Sequence, residues 1–350
     1  LSVAASSPIR QLTNTSASNL RPVWSPNGQR IAFQSNRDGP YHIYVMDADG
    51  SNARRLTSGD QDDRHPAWSP DGKYVAVDTG NSTRREIWTI EVATGTRTQV
   101  TRLGAITSFP SWSPDGGRIS FYVYQAGAMD LWIAARDGTG SAALTRDLAS
   151  ENNKQCTFAC HAAAWSPDGR RIALSDGDHA RVLLTFASIG SAPAPISPAD
   201  ERSHFPLYLS DGRVVYVTEH VTLDQSWTDL WAVDPETEGP RSEVARGVQL
   251  QGPFALSADG RQLLFASPRS GNFEIYAVTL DDAGKAALSE RPERARADAS
   301  VLPQAAQRAS GGIDLTAGST PYLLALGALA LLGVGIEVAY RMRRRSSRGR

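Results

Sequence analysis

The chain holds 350 residues with 8% aromatic side chains, 30 glycines and 20 prolines, a composition that suits one large, turn-rich β domain better than two ordinary ones. Its formal charge is −1, but six arginines fall in the last ten positions, so the remainder is mildly acidic. That balance excludes a nucleic-acid surface, whose footprint would be basic.

The sequence opens at Leu1, which reads as the product of signal-segment removal, because nothing in residues 1–20 is itself an intact signal peptide. The run Ile9-Arg10-Gln11-Leu12-Thr13 has the look of an outer strand with no sheet of its own in front of it. From Trp24 onward a single turn recurs: Trp24-Ser25-Pro26-Asn27-Gly28, Trp68-Ser69-Pro70-Asp71-Gly72, Trp112-Ser113-Pro114-Asp115-Gly116 and Trp165-Ser166-Pro167-Asp168-Gly169. Two worn copies follow at Tyr208-Leu209-Ser210-Asp211-Gly212 and Leu256-Ser257-Ala258-Asp259-Gly260. The copies fall roughly every 45 residues, the period of propeller blades. Serine, proline and glycine at these positions suit a type I turn. After each turn comes a β-rich run such as Arg30-Ile31-Ala32-Phe33 or Tyr74-Val75-Ala76-Val77, expected to be a buried strand. A third run follows, as in Ile43-Tyr44-Val45 and Leu131-Trp132-Ile133, then a short outer one, as in Arg55-Leu56-Thr57.

These repeats resemble the TolB-like, WD-repeat-like propeller family, and the first copy, through Met46-Asp47-Ala48-Asp49-Gly50, follows its pattern closely. The likeness spans about residues 15–290 and implies a fold more than a function. The expectation is an all-β chain: a six-bladed β-propeller over residues 15–282, with residues 1–14 as an N-terminal closing strand that removes the open sheet edge. The segment Ala287-Leu288-Ser289 is expected to be displaced from that role.

The fourth repeat departs most from the pattern. It carries Cys156-Thr157-Phe158-Ala159-Cys160-His161 and a proline-rich stretch, Ala192-Pro193-Ala194-Pro195-Ile196-Ser197-Pro198, and its enlarged loop at 146–162 is a candidate contact surface. In an oxidising compartment Cys156 and Cys160 are a disulfide candidate. Haem attachment needs two residues between the cysteines where three stand, and zinc lacks a fourth ligand, so no cofactor or metal is expected. Residues 283–320 read as a linker. Residues 321–340 carry a single charge, Glu337, and as a helix would be about 30 Å long, enough to cross a bilayer. The basic tail 341–350, with Arg341, Arg343, Arg344 and Arg345 setting orientation, is expected to stay cytoplasmic, which puts the propeller in the periplasm or extracellular space on a single-pass inner-membrane anchor.

Residues just before each innermost strand are expected to meet at the central channel. Asp63, Arg64, His161, His204 and Gln251 form the polar set there, able to converge on an anion, a peptide end or a metal, or simply to line a wet channel. No Gly-x-Ser-x-Gly elbow occurs, which argues against a propeller-linked serine hydrolase. The resulting expectation is a non-catalytic, membrane-anchored interaction or assembly subunit of a membrane protein complex, respiratory and photosynthetic ones among the hosts considered. Two alternatives stay open: a periplasmic sensor or binding protein holding a small ligand or peptide in the channel, and a propeller hydrolase or lyase.

Overall fold

The computed structural model describes residues 9–280, apart from 147, 149–162, 177–180, 190–191, 222–225, 237–240, 249–253 and 259. Each full repeat is a four-stranded antiparallel unit. The first runs β2 (Asn19–Trp24), β3 (Arg30–Ser35), β4 (His42–Asp47) and β5 (Arg54–Arg55). The second comprises β6 (Asp62–Trp68), β7 (Tyr74–Gly80), β8 (Arg85–Glu91) and β9 (Arg97–Gln99), and the third β10 (Ile106–Trp112), β11 (Arg118–Gln125), β12 (Ala128–Ala135) and β13 (Ala142–Ala143). Then come β14 (Ala164–Trp165), β15 (Arg171–Asp176), β16 (Arg181–Phe186) and β17 (Ala194–Pro195), followed by β18 (Arg202–Tyr208), β19 (Val214–Val221), β20 (Ser226–Val233) and β21 (Ser242–Val248). The last unit joins β22 (Phe254–Leu256), β23 (Gln262–Ser267) and β24 (Glu274–Thr279) to β1 (Arg10–Gln11) from the start of the chain.

The expected partition into six separate blades plus a transmembrane helix is corrected. Four sheets are four-stranded, and the second and third repeats merge into one of eight strands. The cause is local: β8 and β10 meet in a parallel bridge, Ile106 against Arg85, with the Arg85 amide donating to Ala105 O at 3.1 Å and Thr107 Oγ1 donating to Arg85 O at 2.8 Å. Among the described residues there is no helix, and none long and apolar enough to cross a membrane. Residues 321–340 and the arginines at 341, 343, 344 and 345 lie outside the described residues. So do Ala287-Leu288-Ser289, Cys156 and Cys160, and no disulfide occurs among the described residues.

Side chains from the middle strands fill the space between neighbouring repeats. Ile31, Phe33, Tyr44 and Met46 of the first repeat pack with Ala255, Leu264, Ile275 and Ala277 of the last, together with Leu12. Such burial contributes about 1.5–3 kcal/mol for each large side chain. The innermost strands touch one another in cyclic order, β2 to β6, β10, β14, β18, β22 and back to β2.

Two recurring polar devices fix the repeats. In the turn, Ser69 Oγ donates to Asp71 Oδ1 at 2.5 Å and accepts from the Tyr74 amide at 2.9 Å, while Gly72 at φ 68° donates its amide to Ser69 O. The same contacts recur at Ser113/Asp115 and Ser166/Asp168, so these aspartates are consumed by the turn. At the rim, a threonine two residues beyond each outer strand accepts from the third strand's backbone: Thr57 Oγ1 from the Ile43 amide, Thr101 Oγ1 from Ile87 and Thr145 Oγ1 from Leu131. Thr13 does the same for Ile275 at 2.9 Å and donates its hydroxyl to Glu274. The chain's first strand is thereby fastened to its last unit.

Candidate functional site

The innermost strands are not straight. In β2, β6, β10 and β18 the pairing register slips between Leu20 and Val23, Arg64 and Ala67, Ser108 and Ser111, and His204 and Leu207. Inside each slip one residue takes a left-handed backbone: Arg21 (φ 56°), His65 (51°), Phe109 (58°) and Phe205 (59°). Proline follows each of them, at 22, 66, 110 and 206. A proline cannot donate to the ladder, so a bulge there loses no hydrogen bond the chain could have made. The bulge re-aims the preceding side chain. Arg21 of the first repeat reaches the third, its guanidinium carbon 5.2 Å from the Phe109 ring centroid, although β2 and β10 are two places apart in the cycle of innermost strands.

Around this crossing a cluster assembles. The His65 ring lies 4.0 Å from that of Phe109, which meets Tyr122 edge-on at 6.4 Å. His65 Nδ1 is 2.6 Å from Asp78 Oδ1, and its amide donates to Gln34 Oε1 at 3.0 Å. Arg85 Nε donates to the other Asp78 oxygen at 2.6 Å, and Arg85 Nη2 donates to the carbonyls of Asp62 and Asp78. Arg64 Nη2 donates to Asp62 Oδ2 at 2.9 Å, and its guanidinium sits 4.8 Å from the Tyr41 ring centroid.

The electrostatics follow from burial. Burial alone would raise the Asp78 carboxyl, but the His65 ring and the Arg85 guanidinium outweigh it and hold the group at about 2. Burial lowers His65 to about 4 against the pull of Asp78, so at neutral pH the imidazole is uncharged, donates from Nδ1, and leaves Nε2 as its acceptor. Arg21 is brought down to about 10, first by burial, with Arg64 pushing the same way and Asp78 opposing.

The expected site residues divide. Arg64 belongs to the cluster. Asp63 does not: it is buried, accepts from Arg97 Nη2 at 2.8 Å and Thr79 Oγ1 at 2.6 Å, lies 3.6 Å from His42 Nδ1, and its amide donates to Tyr41 O. It ties the second repeat to the first. His204 is buried on β18 with Nε2 3.8 Å from Glu219 Oε2, away from the Arg21 crossing. His161 and Gln251 lie outside the described residues. Arg21, His65, Phe109, Asp78 and Arg85 were not anticipated; a proline three residues after the buried polar position was the available signal. Among the described residues no group of His, Cys, Asp and Glu could hold a metal ion.

A profile of the TolB beta propeller domain matches residues 2–85 and 41–215. No curated protein matches the sequence. Among solved structures, a putative TolB from Agrobacterium tumefaciens is 18% identical over 78% of this chain and 94% of its own, with a TM-score of 0.58. TolB from Acinetobacter baumannii is 19% identical over 75% of this chain, with a TM-score of 0.54; the chain spans 63% of that protein's length. A putative gluconolactonase is 13% identical over 79% of this chain and 93% of its own, with a TM-score of 0.57. At these identities the likeness is one of fold. The expected non-catalytic assembly subunit is corrected to this extent: the fold is one that a putative gluconolactonase shares, and among the described residues no helix is long and apolar enough to cross a membrane. Neither the non-enzyme assignment nor the membrane-subunit role is retained. Both the repeated turn and the profile match lead to one statement: the chain belongs to the TolB beta propeller domain family.

Proposed function

We propose that the chain is a binding protein whose propeller channel holds a small ligand or the end of a peptide, recognised by Arg21, Arg64, His65 and Phe109. One observation carries this reading: a partly buried guanidinium and an imidazole meet one phenyl ring, all three borne by strained, left-handed residues of three successive repeats. Strain of this kind costs of the order of 1–3 kcal/mol per residue and gathers at functional sites. The test is a thermal-shift and calorimetric screen of the full chain with neutral, cationic and anionic small molecules and short peptides. A ligand that raises Tm in the native chain and in Arg170→Gln, whose side chain is 83% exposed, but not in Phe109→Leu or His65→Asn, supports the reading. A screen with no such ligand refutes it.

A second reading, a hydrolase or lyase working in the same channel, is favoured by the 2.6 Å contact between His65 and Asp78, which orients the ring and leaves Nε2 to take a proton. Binding comes first because an imidazole held at about 4 is a weak general base at neutral pH. Turnover of a lactone, ester or uronide that is lost in His65→Asn while ligand binding survives would establish the catalytic reading.

A further inference from the structure

At three junctions between repeats, the proline of one turn packs against the glycine of the next. A Cβ placed on Gly72, Gly116 or Gly169 would meet the ring Cδ of Pro26, Pro70 or Pro114 at 3.9, 3.7 or 3.6 Å. Leu209 takes that place before Gly260, at 3.8 Å. Two of the turn tryptophans are also covered by arginines. Arg118, which opens β11, has its guanidinium carbon 5.0 Å from the Trp165 ring centroid, and that of Arg136 is 5.9 Å from Trp112.

The junction between the last repeat and the first differs on both counts. Ala258 stands at the proline position of the preceding turn, and nothing lies within 4 Å of a Cβ placed on Gly28. Gln262, shorter and neutral, opens β23 where β11 has Arg118. A cavity of about 420 Å³ opens here, with Arg10, Trp24, Asn27, Asp49, Ala258 and Gln262 in its lining; small-ligand sites hold about 300–1,000 Å³. Gly212 is similarly uncrowded, but across its junction Arg171 pairs with Glu236 at 2.8 Å. Within the cavity Arg10 Nη2 donates to Ala48 O at 3.2 Å, and Asp49 Oδ1 accepts from the Ser51 amide at 2.8 Å. One guanidinium and one carboxylate offset each other, so the lining favours no ion of either sign.

We infer that this cavity binds an extended, proline-bearing segment of another protein, with the proline ring seated between Trp24 and Gly28. The other repeats supply the argument: at three junctions a proline ring rests against the glycine that is bare here. An indole floor suits a ring with no polar atom to satisfy. The fixed φ of proline holds the segment extended before it binds, which lowers the entropic cost of docking. The exposed Gln262 side chain offers a donor and an acceptor to the neighbouring peptide groups. No residue of this site belongs to the channel cluster, and the inference does not rest on the channel reading.

The experiment is isothermal titration of the full chain with two uncharged peptides, acetyl-Ala-Pro-Pro-Ala-amide and acetyl-Ala-Ala-Ala-Ala-amide, and with maltose as a neutral polar alternative. The ring carbons that alanine lacks predict about 10-fold tighter binding of the proline peptide. Ala258→Pro and Gln262→Arg fill the cavity from within, using residues that other repeats carry at the same positions. Each should abolish the preference while keeping Tm at or above the native value, and Arg170→Gln should retain the preference. Equal affinity for the two peptides, binding of neither, a preference unchanged in a folded filling variant, or maltose bound in place of the peptide overturns the inference. Ala258→Pro should keep the rise in Tm given by any channel ligand, so the two readings fail separately.

Discussion

Gly138 offers the sharpest test of how neighbouring repeats are held. It sits in the turn between β12 and β13 at φ 86°, with its amide donating to Ala135 O. A Cβ placed there would stand 2.3 Å from the carbonyl oxygen of Val100, the residue after the outer strand β9 of the preceding repeat. Alanine would therefore incur two costs: about 1–2 kcal/mol for a left-handed backbone, and about 1–3 kcal/mol for forcing apart a packed contact. Gly95 occupies the equivalent turn of the second repeat at φ 75°, but a Cβ there meets its nearest atom, Leu56 O, at 3.9 Å, an ordinary contact. Gly95→Ala should thus lose only the backbone component. Urea denaturation of the two variants, compared at a shared m value, should separate them by about 1–3 kcal/mol, with Gly138→Ala the less stable. Equal losses would show that the Val100 carbonyl does not limit the approach of the repeats, and the packing argument would be wrong.

Acid should weaken the fold in two stages with opposite partners but the same sign. His65 is lowered from 6.5 to about 4, so its contribution is complete above about pH 6.5 and disappears as pH falls toward 4; at 1.36 kcal/mol per unit the ceiling is about 3 kcal/mol. Asp78 is lowered from 3.8 to about 2, so its contribution is lost only below pH 3.8. Denaturation midpoints measured from pH 7.5 to 4.5 should fall, and His65→Asn should flatten that slope. Asp63→Ala should cost about 2–4 kcal/mol by leaving the partly exposed Arg97 without its buried acceptor, yet keep the rise in Tm given by any ligand found in the channel screen, because Asp63 joins repeats; loss of that rise in a folded variant would return Asp63 to the site.

The repeats were legible because their turn is local chemistry. Serine, aspartate and glycine satisfy one another within five residues, so the pattern survives in sequence whatever the tertiary setting. The channel was harder to read. Counting back from each Trp along an unbroken strand selects Arg64 and His204, whereas the bulges shift the inward position by one and select Arg21, His65, Phe109 and Phe205. The prolines at 22, 66, 110 and 206 mark that shift. Asp78 and Arg85 come from β7 and β8, and no spacing rule links them to β6. Nor could the merger of the second and third repeats be foreseen, since it depends on the single bridge between Arg85 and Ile106.

The pairing of β1 with β24 sets Arg10 opposite Ala277 and Gln11 opposite Tyr276. During synthesis β1 must therefore wait for its partner until roughly 265 further residues have emerged, its own edges open to any stray chain in the meantime. Joining ends so distant carries an entropic cost of about 5 kcal/mol by the logarithmic loop law, which Thr13, Glu274 and the apolar contacts of Leu12 have to offset. The first of the described strands is thus the last to find its partner.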